Sequence, residues 1–174
     1  MCICTSNNAG GHTLRLQGTE SCACLNLRKA ARAVTQLFDS ALKPAKVRST
    51  QFSLLVVVAR FAPVPIGRLA RLLVIDRTTL TRSLCLMEKH GLVAISRRSS
   101  MRQKFVSLSR KGSEALENCL PLWREAQQSF VDQVGKQHWE SMRQELAKLP
   151  NVALTLEKAT QIGNLRPTPS GNWG

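Results

Sequence analysis

The sequence has 174 residues, of which 43% are hydrophobic, enough for one ordinary domain with a buried core. Its formal net charge is +14, from 25 lysines and arginines against 11 acidic residues, which makes nucleic acid the leading candidate partner. The longest strongly apolar run, Leu54–Ala59, is far shorter than the roughly 20 residues of a membrane span. Because the chain also opens without a signal-peptide pattern, we expect a cytoplasmic protein with no membrane partner.

The positive charge is concentrated in the middle of the chain. Between Arg60 and Lys111 the only acidic residues are Asp76 and Glu88, and acidic residues return from Glu114 onwards. Clustered arginines and lysines bind a polyanion because neutralising phosphates releases counterions, which gives affinity that does not depend on sequence. The middle region is therefore the predicted nucleic-acid interface.

The first part of the chain predicts a flexible tail followed by two helices. Residues 1–20 lack a periodic apolar pattern and are expected to form the tail. Apolar residues at helical spacing predict a helix from Ser21 that ends at Pro44. A second helix is predicted from Ser49 to the proline-containing stretch 62–65, which we expect to be a loop.

Two closely spaced helices come next and predict a helix-turn-helix. The first is short, Ile66–Leu73, and Pro65 is placed as its first residue. The second lies within the stretch 76–93, where the Asp76 carboxylate is suited to accept the free N–H groups of the first turn and Gly91 to end the helix. Its predicted apolar face consists of Leu80, Leu84 and Met87.

The opposite face of this second helix predicts contact with DNA. Its N-terminal end is rich in guanidinium and hydroxyl groups, which suits a helix that enters a major groove N-terminus first. The candidate DNA-binding residues are Arg77, Thr78, Thr79, Thr81 and Arg82. Arginine can form a bidentate contact with guanine, but the sequence leaves open whether Arg77 or Arg82 contacts a base.

After Gly91, a two-stranded hairpin is predicted from Leu92–Ser96 and Phe105–Leu108, with Arg97–Lys104 as its turn. A hairpin with such a basic tip is typical of the wing of a winged helix-turn-helix. The candidate wing contacts are Arg97, Arg98, Ser99, Arg102 and Lys104. The predicted fold class is therefore mainly α, a winged helix-turn-helix with long helices before and after it.

The last part of the chain predicts two long helices and a second flexible tail. One helix is expected from Ser113, with a possible kink at Pro121, and the other from Lys136, interrupted or ended by Pro150. Their apolar residues exceed what a small winged domain can cover, which predicts pairing with a second chain. Residues 163–174, rich in Pro, Gly and Asn, are expected to form the tail.

The run IGRLARLLVIDRTTLTRSLCLMEKHGLV, followed by a basic wing and SLSRKG, resembles the MarR-type transcriptional regulators over residues 22–160. The resemblance implies a homodimer that binds a near-palindromic DNA duplex, with repression as the usual outcome and no required cofactor. It assigns 21–48 and 113–162 to dimerisation and 49–112 to DNA binding, within a domain spanning 21–162. It also implies that Arg102 enters the minor groove, although Ser100 stands where the family commonly has an acidic residue.

The cysteines suggest how a signal is sensed. The stretch CLNLRKAARAVT resembles the first helix of organic-peroxide-sensing members, which carry a reactive cysteine at the position of Cys24. Those members support that cysteine with tyrosine hydroxyls, whereas this chain has no tyrosine; Phe38 and Ser49 occupy two of the expected positions.

Two C-x-C pairs provide another possibility, because thiolates bind soft metals and metalloids. The pairs are Cys2 with Cys4 and Cys22 with Cys24. They predict a three-thiolate arsenite site or a four-thiolate zinc site, and Cys22 is expected near a helix N-terminus. The alternatives are reduced cysteines without a function and a pocket for an apolar or aromatic inducer. Cys85 and Cys119 are expected to be small core residues.

The sequence also bears on two other classes of function. An enzyme is not predicted, because His12, His90 and His138 are far apart and no P-loop, H-E-x-x-H, G-x-S-x-G or G-x-G-x-x-G pattern occurs. A DNA-binding protein that is architectural and not sequence-specific remains a rival, because the charge alone permits it.

Overall fold

The computed structural model describes Leu16, residues 18–97 and residues 103–161. The chain divides into two compact units, and a boundary between them falls between Val34 and Thr35, within the first helix. Two 3₁₀ turns, Thr19–Ser21 and Lys43–Ala45, flank that helix. The helices are α1 (Ala23–Leu42), α2 (Ser49–Phe61), α3 (Ile66–Leu73), α4 (Arg77–Lys89), α5 (Arg110–Val134) and α6 (Lys136–Gln161). The strands are β1 (Val64–Pro65), β2 (Val93–Arg97) and β3 (Lys104–Leu108).

The start of α2 is capped by a side chain from α1. The Asp39 Oδ1 atom accepts hydrogen bonds from the Ser49 backbone N–H and from the Ser49 hydroxyl, both at 2.7 Å. These bonds hold the pKa of Asp39 below its usual value, the hydroxyl contributing most. The carboxylate thereby satisfies a free N–H group at the helix start that the neighbouring residue does not cap.

The helix-turn-helix follows the predicted bounds closely. Helix α3 spans Ile66–Leu73, and Val74, in the left-handed conformation with φ of 51°, ends it. The Val74 and Ile75 N–H groups donate hydrogen bonds to carbonyl oxygens of α3, that of Ile75 to the Ala70 oxygen at 3.0 Å. This closure of the helix end leaves only three residues, 74–76, before α4 begins.

The wing contains the predicted hairpin, but the sheet has three strands where two were predicted. The order is β1-β3-β2, with both neighbouring pairs antiparallel. The stretch expected to be a loop supplies β1, in which Val64 pairs with Val106. Pro65 is accordingly not the first residue of α3 but its N-cap, with extended backbone. An edge strand accommodates proline because one side needs no backbone donor.

The two C-terminal helices differ from the prediction at their boundaries. Helix α5 begins at Arg110, three residues before the predicted Ser113, because the Ser109 hydroxyl caps it by accepting from the Gly112 N–H at 2.9 Å. Helix α6 continues through Pro150 to Gln161, so the predicted interruption at Pro150 was wrong. The helices meet where the Phe130 and Trp139 rings form an edge-to-face contact with centroids 5.3 Å apart.

The hydrophobic core lies inside the winged region and includes the end of α1 and one residue of α5. Its fully buried members are Leu42, Leu55, Val58, Val64, Leu69, Leu80, Leu84, Met87, Val106 and Cys119. The predicted apolar face of α4 is thus confirmed as its packed face. No helix in the described ranges is long and apolar enough to cross a membrane.

Candidate nucleic-acid interface

The start of α4 is fixed by the predicted cap. The Asp76 Oδ1 atom accepts hydrogen bonds from the backbone N–H groups of Thr78 at 2.9 Å and Thr79 at 3.0 Å. The same bonds, with that from Thr79 the largest cause, hold the pKa of Asp76 below its usual value. The cap sets where the first turn of α4 begins, and therefore how its side chains project.

The candidate residues of α4 lie on its solvent side. Arg77, Thr78, Thr79 and Arg82 are exposed, while Thr81 is half-buried and its hydroxyl donates to the Arg77 carbonyl at 2.7 Å. The ion pairs of the described residues lie on α5 and α6 and involve neither Arg77 nor Arg82. Both guanidinium groups are therefore available to a ligand, while the Thr81 hydroxyl is already engaged.

A basic groove lies between α3, the first turns of α4 and the start of β3. It has a volume of about 510 Å³. Its cationic lining residues are Arg68, Arg71, Arg77 and Lys104; the others are Pro65, Ile66, Gly67, Thr81 and Gln103. The sequence-based site included Arg77 and Lys104 and missed Arg68 and Arg71. Their spacing of three on a short helix was the available signal, since it places both on one face.

The base of the wing carries two of the predicted contacts. Arg97 and Lys104 are exposed and face each other across the β2–β3 pair, so they belong to the strands and not to the turn. The predicted contacts Arg98, Ser99 and Arg102 lie outside the described residues. Strand β2 is tied to α4 because the Glu88 Oε1 atom accepts a hydrogen bond from the Ile95 N–H at 3.1 Å.

A second connection joins the end of α4 to the start of α5. The Ser109 hydroxyl donates to the Gly91 carbonyl, and the Ser109 N–H donates to the Leu92 carbonyl at 3.2 Å. Gly112 packs directly against Leu92, whose carbonyl oxygen occupies the position a Cβ atom would take. The backbones meet here without an intervening side chain, so α4, the wing and α5 are positioned by one junction.

Comparisons with known proteins agree with this architecture. No protein-family model matches the chain. The M. tuberculosis transcriptional regulator MosR, solved in complex with DNA, is 37% identical, with a TM-score of 0.71 over 78% of this chain and 98% of MosR. The chain belongs to the MarR family of transcriptional regulators. The predicted fold class and family are thereby confirmed.

Two further relatives of this MarR-family protein extend the comparison. An HTH-type transcriptional regulator of Bacillus cereus is 28% identical over 122 residues, which cover 70% of this chain and 82% of that protein. CouR from Rhodococcus jostii RHA1, solved with bound p-coumaroyl-CoA, has a TM-score of 0.64 at 19% identity, over 76% of this chain and 94% of CouR. The likeness to CouR shows a shared fold. MosR, which was solved in complex with DNA, and the Bacillus cereus protein are both transcriptional regulators.

The cysteines of this MarR-family protein have different surroundings. Cys22 and Cys24, at the start of α1, are exposed, whereas Cys2 and Cys4 lie outside the described residues. Cys119 is buried as predicted, and burial raises the pKa of its thiol. Cys85 is exposed, so its prediction as a core residue was wrong; it follows Leu84 and falls off the apolar face of α4. Within the described ranges, no three His, Cys, Asp or Glu residues are grouped as a metal site would require.

An apolar cavity of about 510 Å³ lies between the second half of α1 and α5. Its lining combines apolar side chains with a few polar groups, the composition expected of a small-molecule site. The lining residues are Leu37, Ser40, Ala41, Leu122, Glu125, Ala126, Ser129, Phe130 and Gln133. The sequence analysis predicted a pocket for an inducer only as an alternative, and it named no residues that line such a pocket.

Proposed function

We propose that this protein is a homodimeric, sequence-specific repressor that binds a near-palindromic operator and leaves it when a small signal arrives. The observation that carries the proposal is the exposed basic start of α4, whose arginines lack ion pairs among the described residues. Two copies of α4 would enter successive major grooves, because a two-fold dimer matches a two-fold operator. The same charge makes an architectural, non-specific DNA-binding protein the rival function.

The individual contacts are proposed from the positions of the side chains. Arg77 lines the basic groove and would hold a backbone phosphate, whereas Arg82 lies outside it, one turn after Thr78, and would contact a base edge. Thr78, Thr79 and Thr81 lie between them on α4. The wing would contribute Arg97 and Lys104 at its base, and Arg98, Ser99 and Arg102 remain sequence-based candidates at its tip.

Exposed apolar side chains on the long helices support the dimer. Half-exposed leucines and valines follow one another along α6, where a solvated helix would carry polar groups. They are Leu146, Leu149, Val152, Leu154 and Leu156. On α1, Leu25, Leu27 and Leu37 are similarly exposed. A second copy of the chain would cover these surfaces, as the resemblance implies for 21–48 and 113–162.

The proposed function is tested by measuring binding to DNA. A protected site is first located by footprinting on the DNA upstream of the gene, and affinities for that duplex and for a random duplex are then compared. We expect tighter binding to the protected site by a factor of at least about 10³, and a solution mass of two chains. An equal affinity for both duplexes would support the architectural protein instead.

A thiol signal is the proposed trigger for release. Cys22 and Cys24 are one residue apart and both exposed, so an oxidant, an electrophile or a thiolate-binding ion such as arsenite or zinc can reach them. The C-x-C pair of Cys2 and Cys4 would supply further thiolates to such an ion. No cofactor would be required for DNA binding itself.

The thiol proposal predicts that release depends on these two cysteines. Arsenite, zinc or an organic hydroperoxide should dissociate the wild-type complex with DNA, and the Cys24→Ser and Cys22→Ser variants should stay bound. Cys85→Ser is the matched control, because Cys85 is the other exposed cysteine of the described residues. Anisotropy of a labelled operator measures the effect, and no response of the wild type to any of these reagents would contradict the proposal.

An apolar or aromatic inducer is the second candidate signal. It is favoured by the cavity between α1 and α5, which is lined by Phe130 and by leucines. CouR, which shares the fold, was solved with p-coumaroyl-CoA bound. Release by an aromatic compound that persists in both the Cys22→Ser and Cys24→Ser variants would favour the cavity over the thiols.

A further inference from the structure

The basic groove combines parts of the chain that are distant in sequence. Arg68 and Arg71 come from α3, Arg77 from the first turn of α4 and Lys104 from the start of β3. Strand β1 brings these parts together, because Pro65 pairs with Phe105, next to Lys104, and α3 starts directly after Pro65. Strand pairing in the sheet therefore forms the groove, and its four cations come together only in the folded protein.

The charge in the groove has no acidic counterpart among its lining residues. The lining contains no acidic residue, and the ion pairs of the described residues lie elsewhere. Four cations around one cavity of about 510 Å³ repel each other, and an anion between them offsets part of that repulsion. An anion with several acceptor oxygens, such as a phosphate, suits arginine because the guanidinium group presents N–H donors in a fixed fork.

One of the four cations is held in position by an aromatic ring. The Arg68 Cζ atom lies 5.5 Å from the centroid of the Phe61 ring at the end of α2. A guanidinium over a ring face is attracted by the ring quadrupole and still keeps its N–H donors free at the edges. Phe61 is itself 36% exposed, so its ring is available as a platform at the surface and is not part of the core.

We propose that this groove holds one phosphodiester of the DNA backbone beside the major groove that α4 enters, with Arg68 and Arg71 as phosphate ligands and Phe61 as the positioning residue for Arg68. The inference rests on the proposed DNA-binding function and adds residues to it. The occupant is DNA and not a free anion, because Arg77 belongs both to the groove and to the exposed face of α4. The contact is to the backbone, so it contributes affinity without selecting a sequence.

The test uses the full chain and compares salt dependence on the operator and on a random duplex. Each phosphate contact adds about 0.9 to the magnitude of the slope of log K against log salt concentration. Arg68→Ala and Arg71→Ala should each weaken binding to both duplexes about tenfold for each chain that binds at low salt, as expected for loss of a charged hydrogen bond. The Arg68→Ala/Arg71→Ala double variant, which removes both ligands of the phosphodiester, should reduce the slope by about 0.9 for each chain that binds. Each single variant should reduce it by less, and the ratio between the duplexes should stay unchanged.

Two further variants separate position from charge. Phe61→Leu keeps all four cations and should weaken binding by about two- to fivefold, the size of an exposed cation–π contact. The Arg124→Ala control removes an equal charge from an exposed position on α5, outside the groove, and should behave as the wild type. Thermal unfolding of each variant shows that it is folded, since these side chains lie at the surface.

The outcomes distinguish this inference from the proposed function. If Arg68→Ala and Arg71→Ala bind DNA with wild-type affinity and wild-type salt slope, the groove is not a phosphate site. The proposed function is unaffected by that result as long as the wild type prefers its operator. Saturable binding of inorganic phosphate that is lost in Arg68→Ala, with DNA binding unchanged, would assign the groove to a free anion. If the wild type binds the operator and the random duplex equally well, the proposed function is wrong. The phosphate site is then tested by the affinities of Arg68→Ala and Arg71→Ala for the random duplex alone.

Discussion

Gly112→Ala is expected to lower the free energy of unfolding by about 3 kcal/mol, at the upper end of the cost of overpacking a tight contact. A Cβ atom at this position would overlap the Leu92 carbonyl oxygen and lie 2.9 Å from the Leu92 carbonyl carbon. Both are backbone atoms, so relief requires movement of the α4–β2 junction or of α5. The helix propensity of alanine, about 1 kcal/mol better than that of glycine, is too small to offset the overlap.

Thermal unfolding measures this effect. A loss of that size lowers the midpoint by roughly 6–12 °C in a protein of this length. Gly67→Ala is the matched control, because Gly67 also lies in a helix but an added Cβ atom there meets nothing within 4 Å. That variant should be as stable as the wild type or more stable by up to about 1 kcal/mol. An unfolding midpoint of Gly112→Ala equal to that of the wild type would contradict the tight junction.

Arg82→Ala is expected to lower the affinity for the operator by about five- to 150-fold for each half-site, the range of one bidentate contact with a base. Affinity for a random duplex should change little, because non-specific binding depends on phosphate contacts. The specificity ratio therefore falls with the operator affinity. Arg82→Lys should not restore it, since a lysine keeps the charge but lacks the fork that matches guanine.

The contrast with Arg77 makes the Arg82 prediction specific. Arg77→Ala removes the same charge from the same helix, but Arg77 lines the basic groove. It should weaken binding to both duplexes alike and reduce the salt slope by at most about 0.9 for each chain that binds. The measurement is the same pair of affinity titrations over a range of salt. If Arg82→Ala weakened both duplexes equally and Arg77→Ala altered the ratio, the two assignments would have to be exchanged.

The sequence predicted the elements of the fold because their signals are local. The helix-turn-helix bounds at Ile66–Leu73 and the cap at Asp76 follow from apolar spacing and from side chains that bond within one turn. The exposed basic face of α4 follows from the same periodicity. The prediction that Cys85 is a core residue was wrong, although the helical spacing already indicated otherwise. Cys85 directly follows Leu84, which places it off the apolar face of α4.

The site itself depends on contacts between distant segments, which local patterns do not encode. Arg68 and Arg71 join Lys104 only because β1 pairs with β3, and a two-residue strand of valine and proline has no recognisable alternation. The start of α5 at Arg110 likewise depends on Ser109, whose hydroxyl also contacts the end of α4. Local patterns cannot show such partners in advance.

The amino-acid sequence by itself determined the family, the order of the helices, the capped start of α4 and the sign of its charge, because period, caps and composition are properties of neighbouring residues. Only the tertiary structure decided which cations share a groove, where two backbones approach too closely for a side chain, and which thiols face solvent. These depend on how sheet pairing and core packing bring separate segments together, and that information is distributed over the whole chain.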